Sequence, residues 1–345
     1  MKEVRITLNL EDIQKPLSVS KPSYRLYIDK SKLGSNEHER KNYNLFAIAR
    51  NNSYVKKFVT NLANDGYFLV KHDNGISVFE KYISAKKFAH NFITNTTIKV
   101  HNDLFYTLDD PKITTINPRL LVVFSSVADF SLNASISRRN FFTNFKSIGK
   151  YIPSNTYILR ISDIGGIVGS FYLNNNFNTK VERNIQDLIL FIMKKHSIIK
   201  NDVVFYGASK GGTGALYHGI FGGYKSVAVD PIVSDKYHEE NYNDPHFTNG
   251  TFPANKQEKF SSLIKSSKIP RNTNIIYSKN SPLYSYINSI VRNNDIKQKI
   301  NYINSTHPKI KDHPDVGPNT IHILTLIINT LFYELGSIST KDIDL

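Results

Sequence analysis

Apolar residues recur at Val55, Phe58, Val59 and Leu62, an i, i+3, i+4, i+7 spacing that lines one face of a helix. This predicts a short helix from Asn52 to about Asp65. Beyond it the period shortens. Tyr67 to Lys71 and Ile76 to Glu80 are β-rich runs on either side of His72-Asp73-Asn74-Gly75, where Asn-Gly supplies the positive φ angles of a tight hairpin turn. Thr96 to Val100 and Leu104 to Leu108 form a second such pair.

After Pro118 the pattern changes to short β-rich runs alternating with amphipathic segments. The runs are Leu120 to Ser125, Thr156 to Ser162, Val203 to Tyr206, Ser226 to Val229, Asn274 to Ser278 and Ile300 to Asn304. Between the second and third, Val181, Ile185, Leu188, Ile189 and Ile192 form a helical stripe. A last helix is expected from about Asn319 to Leu335. Such alternation builds an α/β fold, a mostly parallel sheet flanked by helices. The stretch from Pro231 to about Lys268 keeps no period and reads as a cap over the C-terminal edge of the sheet.

The chain has 345 residues, 40% of them hydrophobic and 21% charged, which excludes a disordered or fibrous protein and allows one to two domains. The division expected is a small α+β N-terminal extension, residues 1–95, which carries no assignable motif, and a main domain over residues 96–345. Lys and Arg number 44 against 29 Asp and Glu, for a net charge of +15. A field of that size attracts polyanions: nucleic acid, anionic lipid or an acidic polysaccharide. No helix-turn-helix, zinc pattern or aromatic-basic RNA motif occurs, so nucleic acid is not the expected partner.

Cysteine is absent, excluding disulfides, cysteine-based zinc sites and thiol nucleophiles. No phosphate-binding G-x-x-x-x-G-K-[ST] and no carboxylate-histidine cluster is present, so neither a bound cofactor nor a metal is expected. The N-terminus has no apolar stretch suited to a signal peptide, and no run of about 18 apolar residues occurs. A cytoplasmic protein is expected.

One stretch carries chemistry. In Asp202-Val-Val-Phe-Tyr-Gly-Ala-Ser-Lys-Gly-Gly-Thr-Gly-Ala-Leu216 a buried-type strand ends at Gly207-Ala208-Ser209-Lys210-Gly211 and a small-residue helix begins, which is G-x-S-x-G in its strand-turn-helix setting. The turn presents Ser209 as a nucleophile at a helix N-terminus, with the Lys210 N–H as an oxyanion donor. A second donor is expected from Ser125 or Ser126, after an early strand. The base should follow the last strand, where His307 and His313 both lie, and His313 is preferred because it directly precedes the final helix. His218 and His322 fall inside helices and read as packing residues. The usual place for the triad acid, after Tyr277, holds no carboxylate. Asp230, at the end of the strand that follows the nucleophile helix, is the candidate, with Asn280 or Ser281 as a neutral orienting group otherwise.

From about residue 96 the chain resembles the α/β-hydrolase superfamily. Phe-Tyr-Gly-Ala-Ser-Lys-Gly-Gly, Thr156-Tyr-Ile-Leu-Arg-Ile-Ser-Asp163 and Gly169-Ser-Phe-Tyr-Leu173 resemble XcbB/CpsF-type capsular polysaccharide biosynthesis proteins. The resemblance implies acyl chemistry on carbohydrate: a serine-dependent acyltransferase or esterase of O-acetyltransferase type. An acyl donor such as acetyl-CoA would be its co-substrate and an acidic polysaccharide or glycan precursor its partner. It also implies peripheral contact with membrane-bound capsule machinery at the inner membrane face. The missing acid after Tyr277 departs from the superfamily pattern and leaves open a catalytically silent scaffold that binds polymer.

Overall fold

The computed structural model describes residues 3–19, 23–92, 97–128, 131–266, 268–336 and 341–343. Strands β1 (Glu3–Thr7), β2 (Arg25–Asp29), β3 (Tyr67–Asp73) and β4 (Ile76–Lys81) form one sheet in the order β1-β2-β4-β3, with β1 parallel to β2 and the other pairs antiparallel. The β3–β4 hairpin turns at Asn74 and Gly75, both at positive φ, as Asn-Gly requires. The expected helix spans Ser53–Asn64, begun by the Asn52 side chain accepting from the Val55 N–H, and buries Val55, Phe58, Val59 and Leu62.

The second sheet contains β5 (Lys99–His101), β6 (Leu104–Asp109), β7 (Arg119–Phe124), β8 (Thr156–Ile161), β9 (Val203–Ala208), β10 (Lys225–Val229), β11 (Thr273–Tyr277), β12 (Ile300–Ser305) and β13 (Lys341–Ile343). Their order is β13-β12-β11-β10-β9-β7-β8-β6-β5. Among the described residues only β6 runs against the rest. This is a mostly parallel α/β sheet, in which parallel neighbours are joined by crossovers that pack helices on both faces.

Successive side chains of a strand point to opposite faces. Val203 and Phe205 of β9 join the core beneath helix Val181–Lys195, and Val204 and Tyr206 join the core beneath helix Ile321–Tyr333. The N-terminal sheet shares a continuous core with the larger one, since Leu26, Ile28, Leu69 and Phe79 cluster with Phe171, Leu216, Ile232 and Phe247. Buried Arg139 ties the two sheets together. Its Nη2 donates to the Leu69 carbonyl and its Nε to that of Ile167, both at 2.9 Å.

Three strands, β1, β2 and β13, lie outside the sequence expectation, the first because its residues are exposed or only partly buried and carry little apolar signal. Thr96, the expected start of a strand, and the expected boundary between residues 95 and 96 fall outside the described residues. The expected last helix forms over Ile321–Tyr333, preceded by a short helix, His313–Asn319, from which Thr320 at φ −123° and ψ 13° separates it. His322 is exposed and not a packing residue; His218 is fully buried. Among the described residues no helix is long and apolar enough to cross a membrane.

Candidate active site

β9 ends at Ala208 and the next helix, Lys210–Gly222, starts two residues later, leaving Ser209 in the bend at φ 56° and ψ −121°. A non-glycine residue held there stores on the order of 1–3 kcal/mol of strain. Hydrogen bonds from the Ser209 N–H to Val229 O (2.9 Å) and from the Thr213 N–H to Ser209 O (3.1 Å) hold it in place. The glycines on either side are sterically required. A Cβ on Gly207 would lie 2.0 Å from Gly211 O, and one on Gly211 would lie 2.2 Å from Phe124 O.

Lys210 sends its side chain beneath the bend, where Nζ pairs with Asp163 at 2.9 Å, both side chains fully buried. Asp163 also accepts from Ser170 Oγ at 2.6 Å and from the N–H groups of Ser170, Phe171 and Tyr172 at 3.0–3.1 Å. A buried pair is sustained only when its remaining valences are met in this way. The Lys210 N–H, at the start of the helix, has no acceptor among the described residues.

Three chain segments converge on the Ser209 hydroxyl. His313 is the first residue of its helix, fixed by a capping box between Asp312 and Asp315, and its Nε2 lies 2.8 Å from Ser209 Oγ. Its Nδ1 lies 2.7 Å from Asp230 Oδ2. Asp230 follows β10 directly, at φ 41°, with its N–H on Ile276 O at 2.7 Å. Ser281, in the loop after β11, donates to the same Oδ2 at 2.5 Å. The loop after β11, which carries no carboxylate next to Tyr277, thus contributes a hydroxyl that hydrogen-bonds to the Asp230 carboxylate at the end of the neighbouring strand. Ser281 touches the carboxylate, not the imidazole, and Asn280 turns its amide to Ile310 O.

The other predicted residues divide. His307 lies away from the cavity, its Nδ1 accepting from the Lys309 N–H. Ser125 and Ser126 are corrected as oxyanion donors. Ser125 is buried with its N–H on Tyr172 Oη at 2.5 Å, and the Ser126 N–H is taken by Asn144 Oδ1 at 2.8 Å. Asn144 returns a bond to Ser126 Oγ at 2.6 Å, fixing the loop. The next residue, Val127, lines the cavity and its N–H has no acceptor among the described residues.

The cavity, of about 680 Å³, is bounded on one side by Phe142, Phe145, Pro318 and Ile321 and on another by His238 and His246. Both histidines belong to the aperiodic segment after β10, where no sequence pattern singled them out. Burial, the first cause, with the nearby charges of Lys256 and His313, pushes His238 down to about 4 and His246 well below the usual imidazole range. Among the described residues no group of three or more His, Cys, Asp or Glu side chains is placed to hold a metal ion.

No family model matches the chain, and no curated protein matches it. Solved structures do. The capsule O-acetyltransferase of Neisseria meningitidis serogroup A aligns at 16% identity and a TM-score of 0.48, covering 69% of this chain and 96% of that one; a mutant of that protein has been solved in complex with CoA. The fluorophosphonate-binding serine hydrolase F of Staphylococcus aureus aligns at 16% identity and TM-score 0.43, covering 70% of this chain and 96% of that one. An esterase of Pyrobaculum calidifontis aligns at 10% identity and TM-score 0.49, covering 86% and 95%.

Proposed function

We propose that this protein is a serine-dependent acyltransferase or esterase of O-acetyltransferase type. Its substrate would be a bacterial capsular or other surface polysaccharide, modified during its biosynthesis as in the XcbB/CpsF-type group. One observation carries the reading: the hydrogen-bonded chain from Ser209 Oγ through His313 to Asp230, at 2.8 and 2.7 Å. Ser209 Oγ attacks the acyl carbonyl while His313 Nε2 takes its proton, and Asp230 holds the Nδ1–H tautomer and stabilises the imidazolium. The Lys210 N–H, with Val127 in place of Ser125 or Ser126, donates to the tetrahedral oxyanion. His313 then gives its proton to the leaving group, leaving an acyl-serine. In the second half the acceptor hydroxyl, or water, delivers its proton to His313, attacks the acyl carbon and releases Ser209.

An acidic partner suits the +15 charge and a cleft of about 1130 Å³ where β11 and β12 begin. Lys265, Lys268, Arg271, Lys297 and Lys299 line it, and none is paired with a described carboxylate. A cytoplasmic location, contact with capsule machinery at the inner membrane face and acetyl-CoA as donor belong to the same reading. The silent-scaffold alternative rested on the missing acid, and the contact of Asp230 with His313 and Ser281 supports the enzymatic reading over it. Mass spectrometry after incubation with acetyl-CoA or p-nitrophenyl acetate tests the proposal. An acetyl adduct on Ser209, absent in Ser209→Ala, supports it; folded wild-type protein that neither forms the adduct nor reacts with a fluorophosphonate overturns it.

A further inference from the structure

His238 lies on helix Lys236–Tyr242 and His246 in the loop that follows, with ring centroids 4.3 Å apart. Both border the cavity that holds Ser209 and His313. The Nδ1 atom of each is enclosed and has no hydrogen-bond partner, and neither Nε2 has one among the described residues. Buried polar groups are paired in the great majority of cases, so two such exceptions on neighbouring residues that line one cavity call for an explanation. By contrast His218 has Nε2 at 2.8 Å from Tyr172 O and Nδ1 at 3.1 Å from Gln186 Nε2, and His196, whose Nε2 is likewise enclosed without a partner, does not line this cavity.

The local chemistry says what would pair with them. An enclosed N–H without an acceptor is rarer and costlier than an enclosed lone pair. Each ring therefore keeps its proton on Nε2, the nitrogen that is not enclosed. The Lys256 ammonium, paired with Asp235 and 3.8 Å from the Phe171 ring centroid, stands behind them and disfavours a second proton. The carboxylate of nearby Asp244 is occupied by Thr248 and Asn249. The result is two uncharged N–H donors side by side next to the nucleophile, with no acceptor among the described residues. Neighbouring hydroxyl oxygens of a sugar match them, because a hydroxyl can accept from an imidazole and still offer its own proton to a base.

Resting on the acyl-transfer reading above, we infer that His238 and His246 form the acceptor subsite and bind two neighbouring hydroxyl oxygens of the glycan, so that the acyl group passes to sugar in preference to water. In that step the bound sugar hydroxyl attacks the acyl carbon. Its proton moves to His313 Nε2, the bond from the acyl carbon to Ser209 Oγ breaks, and the proton passes to Oγ.

The test is the partition of one acyl-enzyme. p-Nitrophenyl acetate is turned over with glycerol, methyl glucoside, N-acetylglucosamine or galacturonate present, and acetylated acceptor is measured against free acetate. The ratio is set after acylation and is independent of the acylation rate. Wild type should acetylate the hydroxylic acceptors, and His238→Phe and His246→Phe should lower the ratio at least about tenfold. His238→Gln and His246→Asn, which keep an N–H donor, should restore much of it; they also report if a phenylalanine variant fails to fold. Phenylalanine variants that partition as wild type does would overturn the inference, as would an acyl-enzyme that transfers to water alone. Wild type that forms no acyl-Ser209 at all would instead overturn the function proposed above.

Discussion

The helix that begins after Ser209, Lys210–Gly222, and the segment that follows β10 both leave the C-terminal edge of the large sheet, and both bury a lysine and a histidine. Their polar groups are treated differently. In the helix, Lys210 is held by Asp163 and Val168 O, and His218 has a partner on each nitrogen. In the segment, Lys256 is paired with Asp235, yet His238 and His246 leave their Nδ1 atoms without partners beside the cavity. Full pairing marks groups that hold the fold in one arrangement. The nitrogens of the His238 and His246 rings that are not enclosed are the Nε2 atoms, the ones the proposed acceptor hydroxyls would meet.

The largest expected effect falls on the joint between the two regions. Asp230→Asn should lower turnover of p-nitrophenyl acetate by about 10³–10⁴-fold, because the amide favours the wrong tautomer of His313; a loss under tenfold would detach Asp230 from the chemistry. Lys210→Met leaves Asp163 buried without its cation and should cost about 3–5 kcal/mol in urea unfolding. A midpoint close to wild type would show that the pair is not what fixes the bend.

The next contrast is in pH. Burial lowers His218 from 6.5 to about 4, so between those values the unfolded chain binds the proton that the folded chain refuses. The stability contributed by neutral His218 is complete above about pH 6.5 and is lost as the pH falls towards 4, at up to about 1.4 kcal/mol per pH unit. His218→Gln should flatten the pH dependence of unfolding by that slope, and an unchanged slope would contradict it. Smallest of all, His238→Phe should change stability by no more than about 1 kcal/mol or raise it slightly, since it removes a nitrogen without a partner. A loss of several kcal/mol on unfolding would place His238 with the satisfied groups of the nucleophile helix.

Much of the sheet was legible because strands buried on both faces read as compact β-rich runs: those predicted from Leu120 to Asn304 all form. Ser209 was legible because only glycine fits two residues to either side of such a bend. β1 escaped notice for the opposite reason, as its residues, exposed or only partly buried, leave a weak pattern. The final helix was legible from its apolar period, Ile321–Tyr333 against the expected Asn319 to Leu335, but His322 was misjudged as packing because lying in a helix does not fix which face a residue takes. Ser126 stands in a loop that lines the cavity, but the amides of Ser125 and Ser126 are taken by Tyr172 and Asn144, partners 47 and 18 residues distant.

The sequence by itself determined the alternation that builds the sheet, the sharp bend at Ser209 and the two histidines from which a base could come. Those features depend on steric and apolar patterns within a few residues of one another. Tertiary structure decided that His313 rather than His307 meets Ser209, that Asp230 and Ser281 come together behind the His313 ring, and that the Nδ1 atoms of His238 and His246 have no hydrogen-bond partner among the described residues. Each of those outcomes is a distance of a few ångströms between segments up to 104 residues apart. Such distances are set by how the sheet and its helices pack, which no local pattern encodes.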